Sequence, residues 1–164
     1  MIEIFSIPRE RKAVLIGKNG SIKERIEKGT YTKIKIHEDV KIEGEFFNVV
    51  KAKNIVLAIS RGFSPEKAFL LMDDSYELRI ISLKEERENT VKRLMARVIG
   101  KKGAARRIIE SETNTTISVY GKTVSIIGTL KNIVPAQEAV EALLLGSRHG
   151  HAYSRMKKKT KSSR

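Results

Sequence analysis

Along this chain of 164 residues the apolar positions switch between a period of two and a period of three to four, and the same series of switches occurs twice. Ile2-Glu-Ile-Phe-Ser-Ile7 alternates and predicts a strand. Arg9 to Ile16 reads as a basic helical stretch, Gly17-Lys18-Asn19-Gly20 as a loop, and Ser21 to Lys28, marked by Ile22 and Ile26, as a second short helix. Thr32-Lys-Ile-Lys-Ile36 alternates again, Glu45-Phe-Phe-Asn-Val49 predicts a third strand, and a helix over about 51–61 closes the series. The second series has a strand in Tyr76-Glu-Leu-Arg-Ile-Ile-Ser-Leu83 and a helix from Glu85 to Ile99, with Val91, Leu94, Met95 and Val98 at helical spacing. The loop Gly100-Lys101-Lys102-Gly103 comes next, then a helix from Ala104 to Glu112 with Ile108 and Ile109. Strands at Thr115-Thr-Ile-Ser-Val119 and Thr123-Val-Ser-Ile-Ile127 and a helix over about 130–145 complete it. Pro135 is expected in the first turn of that last helix, and Gly146 at its C′ stop. Between the series, Ser64-Pro65 supplies an N-cap and a proline at N1, which predicts a short linking helix through about Met72.

The repetition extends to single residues. Val14-Leu15-Ile16-Gly17-Lys18-Asn19-Gly20 returns 83 positions later as Arg97-Val98-Ile99-Gly100-Lys101-Lys102-Gly103. Each unit reads strand–helix–loop–helix–strand–strand–helix, an α+β architecture. The expected division is a first domain with its linking helix over 1–75, a second domain over 76–147 and a basic tail over 148–164.

Charge then adds a partner class. The chain has 33 Lys and Arg against 19 Asp and Glu, a formal net charge of +14, which points to a polyanion. Residues 1–75 contribute +3 and residues 76–147 +4, while the tail, with Arg148, Arg155, Lys157, Lys158, Lys159, Lys161, Arg164 and no acid, contributes +7. A tail whose only large apolar groups are Tyr153 and Met156 is expected to be flexible alone and to act as an electrostatic arm. The absence of Cys excludes disulfides and thiolate chemistry, and no apolar run approaches the roughly 20 residues of a membrane-spanning helix. The N-terminal residues do not resemble a signal peptide, so the expected location is cytoplasmic. The Lys/Glu/Ile-rich, Cys-free composition leans toward a thermophile, consistent with an archaeal source.

A Gly-x-x-Gly loop between two helices lets a ligand backbone come close, because the missing Cβ atoms leave room and permit positive φ. The second helix starts at the loop, so its free N–H groups face an anion there, with Lys18, Lys101 and Lys102 beside it. This is a phosphate clamp of another kind than the nucleotide P-loop, which requires Lys-Ser/Thr after the last glycine; Gly20 is followed by Ser21-Ile22 and Gly103 by Ala104-Ala105. A dinucleotide fingerprint would need a third glycine and a preceding parallel strand. One such loop could be a mere tight turn; two in the same context argue for the clamp.

The arrangement resembles a tandem pair of type I KH domains (βααββα), in which this loop clamps about four single-stranded nucleotides. The resemblance implies RNA-binding residues Gly17, Lys18, Asn19, Gly20 and Ile34 in the first unit, and Val98, Ile99, Gly100, Lys101, Lys102, Gly103 and Ile117 in the second, to which the basic face of 87–107 adds Arg97, Arg106 and Arg107 as candidates. It also implies an aliphatic base groove, drawn from Ile16, Ile26, Ile34 and Ile36 and from Val98, Ile99, Ile109, Ile117 and Val119. Aromatic residues at 5% and no Trp fit such a groove better than a stacking platform. The usual KH pattern has an aliphatic residue three positions after the second glycine; Lys23 and Arg106 stand there instead, with Ile22 as the displaced aliphatic in the first copy. Arg97-Val-Ile-Gly-Lys-Lys-Gly103, Ile108-Ile-Glu-Ser-Glu-Thr-Asn-Thr-Thr116 and Leu143-Leu-Leu-Gly-Ser147 narrow the resemblance. They are similar to the archaeal KH-domain small-subunit ribosome assembly factors of the Partner of Nob (Dim-two) group, whose Krr-type relatives share the layout. That group implies single-stranded RNA near the 3′ end of precursor 16S rRNA as partner, the Nob endonuclease or other small-subunit and translation factors beside it, no cofactor, and an adaptor in place of an enzyme.

Physical reasoning ranks the two units. Residues 87–107 hold eight basic side chains and one acid, residues 9–28 seven and three, so the second unit is expected to bind RNA more tightly and with more salt sensitivity. Catalysis is the competing class. His149-Gly150-His151 lacks further metal ligands, Glu85, Glu86 and Glu88 crowd one helix start, and no set of separated carboxylates stands out. A KH protein of RNA decay or translation initiation is the other alternative, although decay-type subunits usually carry a further barrel for which this chain has no room. The tail has no lipidation signal or apolar face that would suit a membrane.

Overall fold

The computed structural model describes residues 1–162 and divides them into two compact units, Met1–Asp74 and a second beginning at Ser75. Ser163 and Arg164 of the expected tail lie outside the described residues. The first unit runs β1 (Ile2–Phe5), α1 (Arg9–Ile16), α2 (Ser21–Thr30), β2 (Lys33–Ile36), β3 (Val40–Glu43) and α3 (Phe46–Ser60). It ends in the short α4 (Pro65–Ala68) and a 3₁₀ turn over Phe69–Met72. Ser64 caps α4 through its side chain, which accepts from the Lys67 N–H. The second unit runs β4 (Tyr76–Ser82), α5 (Glu88–Ile99), α6 (Ala104–Thr113), β5 (Thr116–Tyr120), β6 (Thr123–Thr129), α7 (Leu130–Leu144) and α8 (His149–Ser162).

Each unit folds a three-stranded antiparallel sheet with its last strand in the middle, in the orders β1-β3-β2 and β4-β6-β5. This is the βααββα arrangement of a type I KH domain, twice. The inward residues are aliphatic: Ile34 pairs with Ile42, and Ile117 with Ile126, all four buried. In the second unit this layer joins Val91, Met95 and Val98 of α5, Ile109 of α6 and Ile133, Val140 and Leu143 of α7 in one core. Burial of such side chains contributes about 1.5–3 kcal/mol each and is the main stabilisation available to units of this size.

Three expectations are corrected. Glu45–Val49 is no strand: the third strand of the first unit is β3, and α3 has begun by Phe46. The aromatic pair has strand propensity, but Val49, Ala52, Ile55, Val56 and Ile59 recur at helical spacing and are buried together, and tertiary burial outweighs propensity. Pro135 lies inside α7, past its first turn, because the chain passes from β6 straight into the helix at Leu130. The expected flexible arm is a helix over its described part. α8 places Ala152 and Met156 one turn apart on a buried face, where both join the core against α7, and Lys159 pairs with Glu138. Ala152 and Met156 at spacing four, with the partly buried Tyr153 packed beside them, seat a helix that charge alone would leave in water. The turn before it satisfies the end of α7: Gly146 (φ 98°) donates to Leu143 O at 3.2 Å and Ser147 to Ala142 O at 2.9 Å, a Schellman arrangement.

Candidate nucleic-acid interface

The two Gly-x-x-Gly segments have the same backbone. Gly17 (φ 72°, ψ 178°) and Gly100 (φ 74°, ψ 178°) stop α1 and α5 in a region open only to glycine, and Gly20 and Gly103 start α2 and α6 from left-handed geometry. Between them Asn19 (φ 55°) and Lys102 (φ 52°) are also left-handed. Gly20 N–H donates to Gly17 O, and Gly103 N–H to Gly100 O, both at 3.2 Å. The first glycine of each loop is needed for space as well. A Cβ on Gly17 would stand 2.4 Å from Ile22 Cγ1, and one on Gly100 2.6 Å from Ala105 Cβ. Ile22, the displaced aliphatic of the sequence pattern, thus packs under the loop. Each turn aims the N-terminal N–H groups of a ten-residue helix outward, the anion-accepting end.

Behind the loops lies a second duplicated feature that sequence reasoning missed. Glu27 Oε2 accepts from the Ile34 N–H at 2.9 Å, and Glu110 Oε2 from the Ile117 N–H at 3.0 Å, so each second helix is tied to the free edge of a strand. Thr30 Oγ1 donates to Ile26 O and shares a hydrogen bond with Thr32; Thr113 and Thr115 do the same with Ile109 O. The readable signal is the identity of Glu, Thr, Thr and Ile at the 83-residue offset.

Several predicted site residues take other places. Ile26, Ile34, Val98, Ile109 and Ile117 are all fully buried and form the core under the groove, beyond reach of a base. Ile16 (37% exposed) and Ile99 (36%), just before each loop, and the half-buried Ile36 and Val119 remain accessible. Arg97 is turned away from the loop. Its Nε donates to Leu143 O at 2.8 Å and its Nη2 to Ser147 O, so it holds the C-terminal end of α7. Arg11 does the same for α3 in the first unit, donating to Ile59 O at 2.7 Å and Phe63 O at 2.8 Å. His149 is no metal ligand candidate in this setting, since its Nε2 lies 2.9 Å from Arg97 O. Among the described residues no group of three or more His, Asp or Glu is placed to hold a metal ion. No helix among them is long and apolar enough to cross a membrane.

The remaining cations separate the units. Of the seven in 9–28, Arg11 and Lys12 are fixed on carbonyls, Lys23 and Lys28 pair with Glu27 and Glu24, and Arg25 lies 4.0 Å over the Phe69 ring. Arg9 and Lys18 are left without a partner among the described residues. Of the eight in 87–107, Arg97 is fixed and Arg106 faces Glu110, whereas Arg87, Lys92, Arg93, Lys101, Lys102 and Arg107 are exposed and, among the described residues, unpaired. Arg107 also curls over the loop, its Nη1 lying 3.0 Å from where a Cβ on Gly103 would stand. Lys101 and Lys102 on the rigid turn and Arg107 beside it are therefore donors suited to a phosphate-bearing chain, with Arg87, Lys92 and Arg93 further back along or at the start of α5.

Comparison with known proteins agrees with this geometry. Residues 77–161 match a family model described as a eukaryotic type KH-domain (KH-domain type I), and residues 2–58 match the KH domain model. A KH domain-containing protein of Methanocaldococcus jannaschii is 45% identical over 161 residues, which cover 93% of this chain and 71% of that one. The pre-rRNA-processing protein pno1 of Aspergillus oryzae is 33% identical over 114 residues, covering 66% of this chain and 44% of its own length, so the chain spans less than half of that relative. Among solved structures, a chain in the crystal structure of an a/eIF2alpha–aDim2p–rRNA complex from Pyrococcus horikoshii superposes with a TM-score of 0.91 at 44% identity, covering 99% of this chain and 95% of that one.

Proposed function

The chain belongs to the KH domain family, with a second unit of the eukaryotic, type I kind, and from that premise we propose that it is a single-stranded RNA-binding protein of small ribosomal subunit biogenesis. It binds near the 3′ end of precursor 16S rRNA. The observation that carries the reading is the second Gly-x-x-Gly turn, where a glycine-only backbone, a helix N-terminus and Lys101, Lys102 and Arg107, without a partner among the described residues, stand together and would line one phosphate path. The rRNA in the Pyrococcus complex and the pre-rRNA processing of the fungal relative support the choice of RNA.

The phosphates of about four nucleotides run along the loop, held by backbone N–H groups and lysines, while bases turn toward the aliphatic strip of Ile99 and Val119. The protein acts by binding and positioning; its partners are rRNA, the alpha subunit of initiation factor 2, as in the Pyrococcus complex, and the Nob endonuclease. Crosslinking the full chain to RNA in cells, followed by sequencing, tests this. Enrichment at the 3′ region of 16S precursors is expected, and sites scattered over messenger RNA would overturn it in favour of a role in RNA decay or translation initiation.

A further inference from the structure

Three positions after the last glycine of each loop stands a cation where an aliphatic residue is usual, and one turn later a glutamate: Lys23 with Glu27, and Arg106 with Glu110. The glutamate is anchored, because its Oε2 accepts the strand N–H of Ile34 or Ile117, and its Oε1 is turned to the cation. The pair thus sits between the clamp and the free edge of β2 or β5, beside the base groove proposed above. The two units differ in how well the pair is satisfied. Lys23 Nζ reaches Glu27 Oε1 at 3.2 Å, whereas Arg106 Nε is 3.6 Å from Glu110 Oε1, beyond hydrogen-bond range, and is buried with no partner. The Arg106 side chain is nevertheless 39% exposed, so what it offers to the outside is its planar Nη fork.

We infer that Arg106 and Glu110 form a base-reading pair that selects cytosine in the nucleotide under the second clamp. The inference rests on the RNA-binding reading above and names what that site discriminates. The argument is one of complementary donors and acceptors. The Arg fork supplies two parallel donors and needs two adjacent acceptors; the carboxylate beside it accepts and needs a donor. Cytosine alone presents O2 and N3 as adjacent acceptors followed by the N4 amino donor along one edge. Uracil offers an N–H between two separated acceptors. Adenine offers one acceptor beside its amino group; guanine offers two adjacent acceptors, O6 and N7, but its N1–H donor beside O6 faces a different edge, away from a carboxylate seated beside a fork on N7 and O6. A base that leaves the partly buried carboxylate or the fork unpaired is rejected by the cost of that unpaired group. Lys23, a point charge already bonded to Glu27, offers no such fork, so the first unit discriminates less.

The test uses the full chain and short single-stranded oligocytidylate and oligouridylate in fluorescence anisotropy titrations. The wild-type protein is expected to prefer oligocytidylate by at least about fivefold, the low end of what one bidentate contact discriminates. Arg106→Lys keeps the charge and removes the fork, so it is expected to weaken oligocytidylate binding more than oligouridylate binding and bring the ratio toward one. Arg106→Gln, read the same way, guards against a folding defect in the first variant, with thermal unfolding as the check on both. A wild-type ratio near one, or a preference that survives both substitutions, overturns the inference and leaves the RNA-binding reading standing. Failure to bind any oligomer overturns both.

Discussion

The first unit spends most of its cations on itself, and the second leaves most of its cations to a ligand. Around the first loop, arginines and lysines are bonded to carbonyls, carboxylates and an aromatic ring, with Arg9 and Lys18 left over. Along 87–107, six of eight cations have no protein partner among the described residues, and two of them, Lys101 and Lys102, stand on a turn whose backbone angles match the first within a few degrees. The same clamp has thus been built twice and armed once. The lesson is that the net charge of a unit is a poor guide to a polyanion site: the units carry +3 and +4, while within the stretches 9–28 and 87–107 the cations without a protein partner among the described residues number two and six.

The largest test of this contrast concerns α8, which only the second unit has. Met156→Asp puts a carboxylate into the core and is expected to destabilise the second unit by about 4 kcal/mol in chemical denaturation, while leaving the first unit's transition in place. A change smaller than about 0.5 kcal/mol would restore the tail to a loose arm. Next comes the clamp. Lys101→Asp with Lys102→Asp is expected to weaken single-stranded RNA binding on the order of a hundredfold at low salt, and Lys18→Asp with Asn19→Asp by less than about tenfold. The plot of log affinity against log salt should also flatten by about 0.7 for each phosphate that is no longer neutralised. Equal losses from the two loops would break the comparison. Substitution of the central pair is cleaner than Gly→Asp, since a side chain at Gly17 or Gly100 collides with Ile22 or Ala105 and damages the fold along with the site.

A smaller effect is expected where the units agree. Arg11→Ala and Arg97→Ala each free two carbonyls at a helix end, and both should cost about 1–3 kcal/mol of stability with little change in RNA affinity of the folded protein. A drop in affinity of about a hundredfold in Arg97→Ala, with stability unchanged, would return that arginine to the interface. The smallest effect is a titration. Hydrogen bonding to Lys28, and its charge, hold the Glu24 carboxyl below its ordinary value of 4.5, and Lys41 does the same for Glu43. A lowered carboxyl contributes stability above its ordinary pKa that disappears as pH falls through the folded value, so this small contribution fades in acid, below about pH 4.5. Lys28→Ala should return Glu24 to about 4.5 in an NMR titration, and no movement would show that the pair does not form in solution.

Much of this is legible in the sequence because the repeat supplies its own control. Gly17 and Gly100, and Lys18 and Lys101, align without a relative, and they locate both clamps and the order of elements around them. What fails is whatever depends on direction. Val98, Ile109 and Ile117 have the spacing of groove lining, but periodicity says only that an aliphatic residue faces one side, not whether that side is sealed by α7. Arg97 has the position of a clamp cation by its distance from Gly100, yet it points to the far end of another helix, information that resides in tertiary packing. In the tail, seven charges outweigh Ala152 and Met156 in composition, while those two residues decide where it docks.

The centre of each loop also bears on how such a protein can change. Both central positions require left-handed backbone, which Asn tolerates and Lys tolerates poorly. The first unit has Asn19 there, comfortable and neutral; the second has Lys102, strained and charged. At the ends of α2 and α6 the assignment is reversed, with Tyr31 (φ 56°) in the uncomfortable state and Asn114 (φ 52°) in the easy one. Tyr31 is therefore a position where selection for heat resistance could act freely, whereas Lys102→Asn would gain conformational ease only by giving up a cation of the clamp. If Lys102 serves the proposed clamp, stability and RNA affinity are set against each other there, and a lineage adapting to higher temperature would be expected to mutate Tyr31 before Lys102.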